Sequence, residues 1–462
     1  MKEIYSNTQR AILWLGDYSD TAVPSHPNAV LSRGEVKAAF GIAEDLAADR
    51  HHDTPEDREI AEGYRALDAL LKVPWWQRIW TVQEALLPKH AVLRYGDTEM
   101  PFARFWKAFD HYFAQSYREC CGEYWLDFTD TSSNVISCLQ TAIDYRRLLS
   151  HDQGLVFSVL ISTFRGRLAT DPRDKIFGLS GLAGTLVADY SLQPKDVFMR
   201  AIRTTITDSG SLAPLLRTPE PDRAKDLPTW APDCCAKLGP EAQHSWDMVW
   251  FGLFAAFDAA MGTKAAMLNP SAGPVLPLQG LLVDEIYEVV VHGICRDRDE
   301  FCAMARRWQH TTETVAKRNH GVYPRGGTYK DAFWRTMVGD MILHEFDAQG
   351  TGQSRRAKAS DEANCRMLWN PNGDHSMGVP FSRDRQFFTT RAGLIGIGNP
   401  GPKVGDAIYV LLGGRVPFIL RPTPKKQDGA TLLEYVSPAY VHGIMDGEVM
   451  KEKREPSWVH LI

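Results

Sequence analysis

The strongest constraint on the fold lies in about the last hundred residues, where short β-prone runs follow one another closely. The runs are Phe387–Thr390, Leu394–Ile397, Ala407–Leu412, Pro417–Leu420 and Leu432–Val436. Most of them are separated by Gly and Pro, which end strands and form turns. This part of the chain is therefore predicted to fold as a β-rich module.

The first part of the chain has helical periodicity instead. Apolar residues recur at helical spacing within 35–72, which predicts two helices joined by a loop near 51–57. Thr54 is expected to cap the second of these helices, and Pro74 to open a third that continues to Leu87. The apolar runs at 12–15 and 91–95 predict two strands, so a small sheet accompanies the helices.

Between these parts the chain alternates helices with a few strands. Further helices are predicted at 102–113, 134–147, 155–164, 197–209, 299–310 and 329–344, and the segment 171–182 is predicted to contain a loop and a helix. Short strands are predicted at 275–278 and 286–291. The segment 219–240 is rich in Pro, Asp and Lys, which is typical of a boundary. The polar segment 347–364 is predicted to be mobile.

The charge and the targeting signals of the chain argue against a nucleic-acid-binding, a secreted or a membrane-spanning protein. The chain has 52 Lys and Arg against 57 Asp and Glu, a net charge of -5, and no basic stripe, so no nucleic-acid partner is expected. The N-terminus has no apolar stretch typical of a signal peptide. The longest apolar window, around 251–261, is too short to span a bilayer. A cytoplasmic location is expected.

Cofactor and metal motifs are not found either. The eight cysteines form no C-x-x-C pair, which argues against a zinc ribbon and favours reduced thiols. There is no phosphate-binding P-loop, no nucleophile elbow and no H-x-x-x-H pair. The glycine-rich run 393–401 is interpreted as turn chemistry, since it lies between strands rather than before a helix. No cofactor or metal is predicted.

The run 75–84, WWQRIWTVQE, followed by Gly96-Asp97, resembles a block of the fungal heterokaryon-incompatibility (HET) domain. Other segments resemble later or flanking parts of the same family in the same order. They are 14–16, 171–182, 227–233, 333–336, 405–406, 417–421 and 439–448. The blocks with which the family's domain usually opens are not found, so about the first half of that domain is expected to be missing.

The resemblance implies a role and a fold. The family is implicated in self/non-self recognition and in cell death after hyphal fusion, and its domain is thought to be distantly similar to the TIR fold. Without the leading strands of such a sheet, TIR-like nucleotide chemistry is not expected here. We therefore expect a remnant of the sheet in the N-terminal part.

Several side chains are candidates for a site. On a helix through the run 75–84, Trp76, Trp80 and Glu84 share one face, and Arg78 and Gln83 add polar groups. These residues could line a pocket in which Glu84 and Arg78 act in catalysis. The alternative is that the tryptophans are core residues and that Arg78 pairs with an acid such as Glu84 or Asp174.

Two further candidates lie in the second half. His442, near Glu448, is the acid/base candidate of the β-rich region, with a hydrogen-bonded structural histidine as the alternative. Trp230 is a further candidate for binding a substrate. The loop 171–175 is explained by helix capping alone, and Asp233 is expected to close a turn.

The sequence thus predicts an α+β protein in two parts. A helical part with a remnant, TIR-like sheet is expected over 1–215, followed by a β-rich module with inserted helices over 216–462. The function indicated first is that of an incompatibility protein acting through protein partners. The alternative is a cofactor-independent enzyme of fungal specialised metabolism acting on an apolar small molecule by cyclisation, condensation or dehydration. A third possibility is an inactive, truncated relative of the family. Whether the chain is an enzyme stays open, and so does its oligomeric state.

Overall fold

In the structure, a computed structural model, the chain forms two compact units, Met1–Val197 and Phe198–Ile462. It describes residues 2–18, 30–50, 57–109, 132, 135–136, 138, 153–183, 186–217, 220, 222–236, 254, 256–268, 273–291, 295, 297–346, 352–370, 382 and 385–462. Helices predominate in the described part of the first unit and strands in that of the second, so the predicted α+β class is confirmed.

The first unit combines short helices with a small sheet. Its helices are α1 (Lys2–Asn7), α2 (Arg33–Ala47), α3 (Arg58–Leu71), α4 (Thr81–Leu86), α5 (Phe102–Lys107), α6 (Gln153–Phe164) and α7 (Asp174–Ala183), with a 3-10 helix at Pro74–Gln77. Its strands are β1 (Ala11–Gly16), β2 (Ala91–Tyr95) and β3 (Thr98–Pro101). Helix α8 (Pro194–Ser209) contains the boundary between the units.

The small sheet has the order β1-β2-β3. Strand β1 runs parallel to β2, with Ile12 opposite Val92, and β2 turns back into antiparallel β3 through Gly96. Gly96 has a φ of +56°, which glycine adopts without the steric cost of a side chain. The two strands predicted from apolar runs therefore exist and pair with each other.

Helices α2 and α3 follow their predicted periodicity. Ser32 and Glu35 form a capping box at the start of α2, which satisfies backbone N–H groups at that end. Asp57 caps α3, because its carboxylate accepts hydrogen bonds from the N–H groups of Glu59 and Ile60. Residues 51–56, with Thr54, lie outside the described residues.

The predicted helix from Pro74 to Leu87 was wrong as a single element. A 3-10 helix ends at Gln77, Arg78 is extended with φ -87° and ψ 138°, and α4 begins at Thr81. The break is caused by a distant segment. Leu168 donates its N–H to the Gln77 carbonyl and accepts from the Ile79 N–H at 3.0 Å. Local periodicity cannot reveal such a partner.

Two other helices predicted in this unit fall partly or largely outside the described residues. The helix predicted over 102–113 is seen as α5, and residues 110–131 are not described. The helix predicted over 134–147 is described at only a few positions. The predicted helix over 155–164 is confirmed as α6, which begins two residues earlier.

The second unit is built around β structure. Its strands are β4 (Leu276–Val290), β5 (Met341–Phe346), β6 (Gly352–Arg356), β7 (Gln386–Thr390), β8 (Ile395–Gly398), β9 (Ala407–Leu411), β10 (Phe418–Gln427), β11 (Ala430–Val441) and β12 (Ser457–Leu461). Its helices are α9 (Arg298–Arg318), α10 (Tyr329–Met337) and α11 (Glu362–Met367), with 3-10 helices at Ala213–Leu215, Ala359–Asp361 and Met450–Glu452.

Seven of these strands form one closed sheet. Its order is β10-β9-β4-β12-β11-β8-β7, and β10 also pairs with β11 and β4 with β7, so the sheet closes on itself. The long strands β4 and β11 each pair with three others, and bulges in β4 let it change partner along its length. Closure of a sheet leaves fewer unpaired edges. The predicted β-rich module is thus a barrel.

Close backbone packing explains the glycine-rich run in this barrel. Gly396 lies in β8, where a Cβ atom would stand 2.7 Å from the Tyr440 carbonyl oxygen and 2.6 Å from the Phe388 ring. Gly396 falls within the strand predicted over 394–397, and Gly398 is the last residue of β8. The interpretation of the run as turn chemistry was therefore wrong at these two positions, where neighbouring strands approach closely.

Three other predictions in the second unit need correction. The two strands predicted at 275–278 and 286–291 are parts of one bent strand, β4. The helix predicted over 329–344 ends at Met337, because Gly339 and Asp340 adopt positive φ angles, and β5 follows. Residues 347–351 of the segment predicted to be mobile lie outside the described residues, whereas 352–364 contain β6, which pairs with β5, and the start of α11.

No helix in the described part of the chain is both long enough and apolar enough to cross a membrane.

Candidate functional site

The run 75–84 places its aromatic residues in the core of the first unit. Trp76 is 2% exposed, and its Nε1 donates to the Leu70 carbonyl at 3.0 Å. Its ring stacks on Phe105 at 5.9 Å and meets Trp75 edge to face. Trp80 is half-buried. Because the helix is broken at Arg78, Trp76, Trp80 and Glu84 do not share one helical face as predicted.

Gln83 joins this run to the second family segment, 171–182. It is 1% exposed and donates through Nε2 to the carbonyl of Phe177 in α7 at 3.1 Å. Gly181 lies so close that an added Cβ would stand 2.8 Å from the Gln83 Cδ. The two segments that carry the family resemblance therefore pack on each other, and Gln83 holds them together rather than lining a pocket.

A buried arginine completes this contact. Arg167 donates to the Thr81 hydroxyl at 2.9 Å, and that hydroxyl donates to the Arg78 carbonyl at 2.6 Å. Burial lowers the pKa of Arg167 from its ordinary value, and the ring of Phe164 lies 5.1 Å from its guanidinium. These contacts fix the backbone where the predicted helix is interrupted.

Glu84 lies at a partly buried polar cluster. Its two carboxylate oxygens accept from the Tyr5 hydroxyl at 3.4 Å and from Trp75 Nε1 at 3.2 Å. Burial first, and the neighbouring Glu84 second, raise the pKa of Tyr5, while the positive charge of Arg78 lowers it. The side chain of Arg78 is exposed and, in the described part of the chain, forms no salt bridge with Glu84 or Asp174.

Trp230 is a core residue of the second unit. It is fully buried, donates through Nε1 to the Pro274 carbonyl at 2.8 Å, and carries the Arg203 guanidinium 4.8 Å above its ring. Nearby, Asp233 accepts from the N–H groups of Cys235 and Ala236, so it closes a turn as predicted. Trp230 is therefore not placed to contact a substrate.

His442 lies just after β11 in a half-buried position. Its Nδ1 is 2.9 Å from the Tyr440 hydroxyl, and its carbonyl accepts from the Tyr323 hydroxyl at 2.9 Å. Burial lowers the pKa of His442, which favours the neutral imidazole, although the carboxylates of Asp340 and Asp331 act in the opposite direction. Burial also raises the pKa of Tyr440 well above its ordinary value, so its hydroxyl stays protonated.

An ion-pair network lies beside this histidine. The buried carboxylate of Asp340 accepts from Arg335 at 2.6 Å and from Arg356 at 2.6 Å. Arg356 also forms a bidentate pair with Asp446, at 2.7 and 2.9 Å. Such forked pairs fix geometry as well as charge. The network ties β6 and the end of α10 to the loop that follows His442.

The sequence alone identified only part of this cluster. Arg335, Tyr440 and Asp446 lie in segments that carry the family resemblance, but no pattern marked them as partners. Arg356 was missed because it lies in the segment predicted to be mobile, and its two carboxylate partners are far away along the chain. His442 is thus the one predicted candidate in this cluster.

The chemistry open to these groups is limited. Among the described residues, no cluster of three His, Cys, Asp or Glu side chains is arranged to hold a metal ion. A neutral imidazole held by a tyrosine hydroxyl can exchange a proton, and the arginines of the network are already engaged by carboxylates. The predicted residues therefore fall into separate clusters, Glu84 and Arg78 in the first unit and His442 in the second.

Two family models match the chain, one within each unit. Residues 1–84 match the family Heterokaryon incompatibility protein (HET), and residues 367–460 match the Het-6 beta-barrel domain. The HET match ends at Glu84, the last residue of the run 75–84. The closed sheet of the second unit lies largely in the segment matched by the barrel family.

One curated relative aligns with almost the whole chain. It is Heterokaryon incompatibility protein 6, OR allele, of Neurospora crassa, which is 22% identical over an alignment that covers 97% of this chain and 78% of the relative. No solved structure matches the chain.

The matched segments are thus a HET-like segment in the first unit and a segment similar to the Het-6 beta-barrel domain in the closed sheet of the second unit. The chain is similar to heterokaryon-incompatibility proteins in both matched segments, as the run 75–84 and the later segments predicted.

Proposed function

We propose that this chain acts in fungal self/non-self recognition and promotes cell death after fusion of unlike hyphae, through contacts with protein partners. The observation that carries the proposal is the combination of both family domains with an alignment to an incompatibility protein over 97% of the chain. A shared short motif would support much less, since function is decided by sites rather than by fold.

The packing of the aromatic residues supports a partner-binding role. A site for an apolar small molecule needs an apolar concave surface, but the side chains of Trp76 and Trp230 are buried in the cores of their units. In contrast, Ile12 is 50% exposed and Trp14 is 47% exposed on the same face of β1. Neighbouring exposed apolar side chains are typical of surfaces that bind other proteins.

We also propose functional roles for the predicted polar candidates. Glu84 and Arg78 would act at the surface of the first unit and His442 at that of the second. No observation favours the alternative of an enzyme of specialised metabolism. Evidence for that alternative would be a metabolite that the fungus makes only when it carries the gene.

The test is a fusion assay in a filamentous fungus that expresses the chain from an inducible promoter. Strains with and without the gene are fused to strains of differing genotype, and fused compartments that take up a dye excluded by living cells are counted. We expect dye uptake to rise when the chain is expressed. If no fusion partner produces death above the background of self-fusions, the proposal is wrong.

A pair of variants tests the surface in the same assay. Ile12→Ser with Trp14→Ser removes the apolar face of β1, and Leu282→Ser with Trp458→Ser removes two side chains of similar exposure elsewhere. We expect the first pair to abolish death and the second to leave it unchanged at equal protein levels. Death that survives the first pair would refute the β1 surface while leaving the proposed function standing.

A further inference from the structure

An open groove of about 480 Å³ lies between the end of β4 and helix α9. One wall is formed by Glu288 and the three valines 289–291, and the other by Arg306, Arg307, His310 and Thr311. None of these residues belongs to the clusters described above. Val291 is 67% exposed, so an apolar surface in the groove faces solvent.

The β4 wall has an open strand edge. Along 280–285 one edge of β4 pairs with β9, and the last contacts on that side join Ile286 to Gly405 and Asp406. From Ile286 to Val290 the opposite edge pairs with β7. Within the described chain no strand pairs with the first edge beyond Ile286. Its backbone N–H and C=O groups can therefore accept another strand.

The helical wall carries positive charge that has no carboxylate partner among the described residues. Arg306 and Arg307 are exposed, and within the described chain neither forms a salt bridge. Arg306 donates through Nε to the Cys302 carbonyl of its own helix at 3.3 Å. His310 extends the same wall, and Glu288 is the acid in the groove. Trp308 anchors the helix by stacking on Phe387 of β7 at 5.3 Å.

We propose that this groove binds an extended acidic peptide segment of a partner protein, which adds as a strand to the open edge of β4. Backbone hydrogen bonds to 287–291 would hold the segment, alternate apolar side chains would contact the valines, and its carboxylates would face Arg306 and Arg307. Charge complementarity across such a groove gives orientation and specificity. The biological meaning rests on the proposed partner-mediated function, but the binding itself is measured separately from cell death.

The test uses the purified full-length chain and two fluorescent probes, a capped hexapeptide alternating Glu and Val and its counterpart alternating Lys and Val. Fluorescence anisotropy is expected to show binding of the glutamate peptide, at least about tenfold tighter than that of the lysine peptide at low salt. Hydrogen exchange of the 287–291 amides is expected to slow when the glutamate peptide is bound. Equal binding of the two peptides, or no binding of either, would overturn the proposal.

Charge-reversal variants locate the site. Arg306→Glu with Arg307→Glu should weaken binding of the glutamate peptide by about tenfold or more. Lys425→Glu with Lys426→Glu makes the same change in charge at another exposed pair and should leave binding unchanged. Equal effects of both pairs would mean that net charge alone drives binding, and would overturn the proposal.

Self-association is the remaining competing outcome. If light scattering shows that the chain is dimeric and that Arg306→Glu with Arg307→Glu makes it monomeric, a second copy occupies the groove and the peptide proposal is wrong. If expression of the chain causes no death in the fusion assay while the purified chain binds the glutamate peptide, the proposed function alone is wrong.

Discussion

Two glycines of α7 face the run 75–84, and their missing side chains allow the close contact between the two family segments. A Cβ atom on Gly178 would lie 3.0 Å from the Ile79 Cγ1, and one on Gly181 would lie 2.8 Å from the Gln83 Cδ. Glycine within a helix is otherwise unfavourable compared with alanine, by roughly 1 kcal/mol. The close packing thus offsets a local preference for alanine.

Gly181→Ala is therefore expected to destabilise the first unit, with an overpacking cost of about 1–3 kcal/mol that outweighs the gain in helix propensity. Gly41→Ala in α2 is the control, because nothing lies within 4 Å of its added Cβ, and it should raise stability slightly. Calorimetric melting of the full chain measures both. A Gly181→Ala variant that melts at or above the wild-type temperature would contradict this account of the contact.

His442 is expected to make stability depend on pH. Because burial lowers its folded pKa below the ordinary 6.5, the unfolded chain binds a proton more readily than the folded chain as pH falls. The stabilising effect is present above pH 6.5 and is lost as pH falls through the folded pKa. His442→Asn keeps a polar atom near Tyr440 but cannot be protonated in this range.

The comparison is the drop in melting temperature between about pH 7.5 and about pH 5.5, which should be smaller in His442→Asn than in the wild type. The imidazole resonance that disappears in this variant should titrate below 6.5 in the wild type. An equal drop in both proteins, or titration above 6.5, would show that burial does not control this histidine.

At the scale of elements, local patterns predicted well where local interactions decide the structure. Periodicity gave α2 and α3, and Gly and Pro between short apolar runs marked the barrel strands. Predictions from local patterns failed where residues distant in the sequence determine the structure. Contacts with Leu168 interrupt the helix predicted from Pro74, and pairing with β9 through a bulge makes two predicted strands into the single strand β4. The candidate site shows the same limit, since His442 was predicted while Asp340 and Arg356 were not.

Arg356 is expected to be the most important cation of the network beside His442. Replacing it by Met leaves the 6% exposed Asp340 with Arg335 alone and removes both bonds to Asp446. Breaking a buried pair costs several kcal/mol, but because Arg356 itself is partly exposed we expect a loss of about 2 kcal/mol. Arg391→Met, which breaks the exposed pair with Glu285, should cost clearly less, because solvent screens that pair. Urea unfolding that gives equal costs would contradict this ranking.

At the scale of the whole molecule, the barrel of the second unit joins partners that lie far apart along the sequence. In the barrel, Leu276 on β4 pairs with Leu461 on β12. The next residue, Ile462, accepts a hydrogen bond through its carbonyl from the Thr229 N–H at 3.0 Å. The β-prone runs predicted strands but not their order or closure, since pairing register depends on the complete set of partners. The predicted division into 1–215 and 216–462 stays a prediction.

Closure by β12 makes two adjacent residues respond very differently to the same change. Val459 is 3% exposed, whereas its neighbour Trp458 is 39% exposed, as expected for opposite faces of a strand. Val459→Asp would bury a carboxylate without a partner, so we expect a loss of about 3 kcal/mol or more, or no folded second unit. Trp458→Asp should cost about 1 kcal/mol or less, as surface changes usually do. Circular dichroism and urea unfolding of the two full-length variants measure the loss in free energy of unfolding. Similar losses in both variants would mean that β12 does not pack its Val459 face into the barrel. The closure inferred for the sheet would then be wrong.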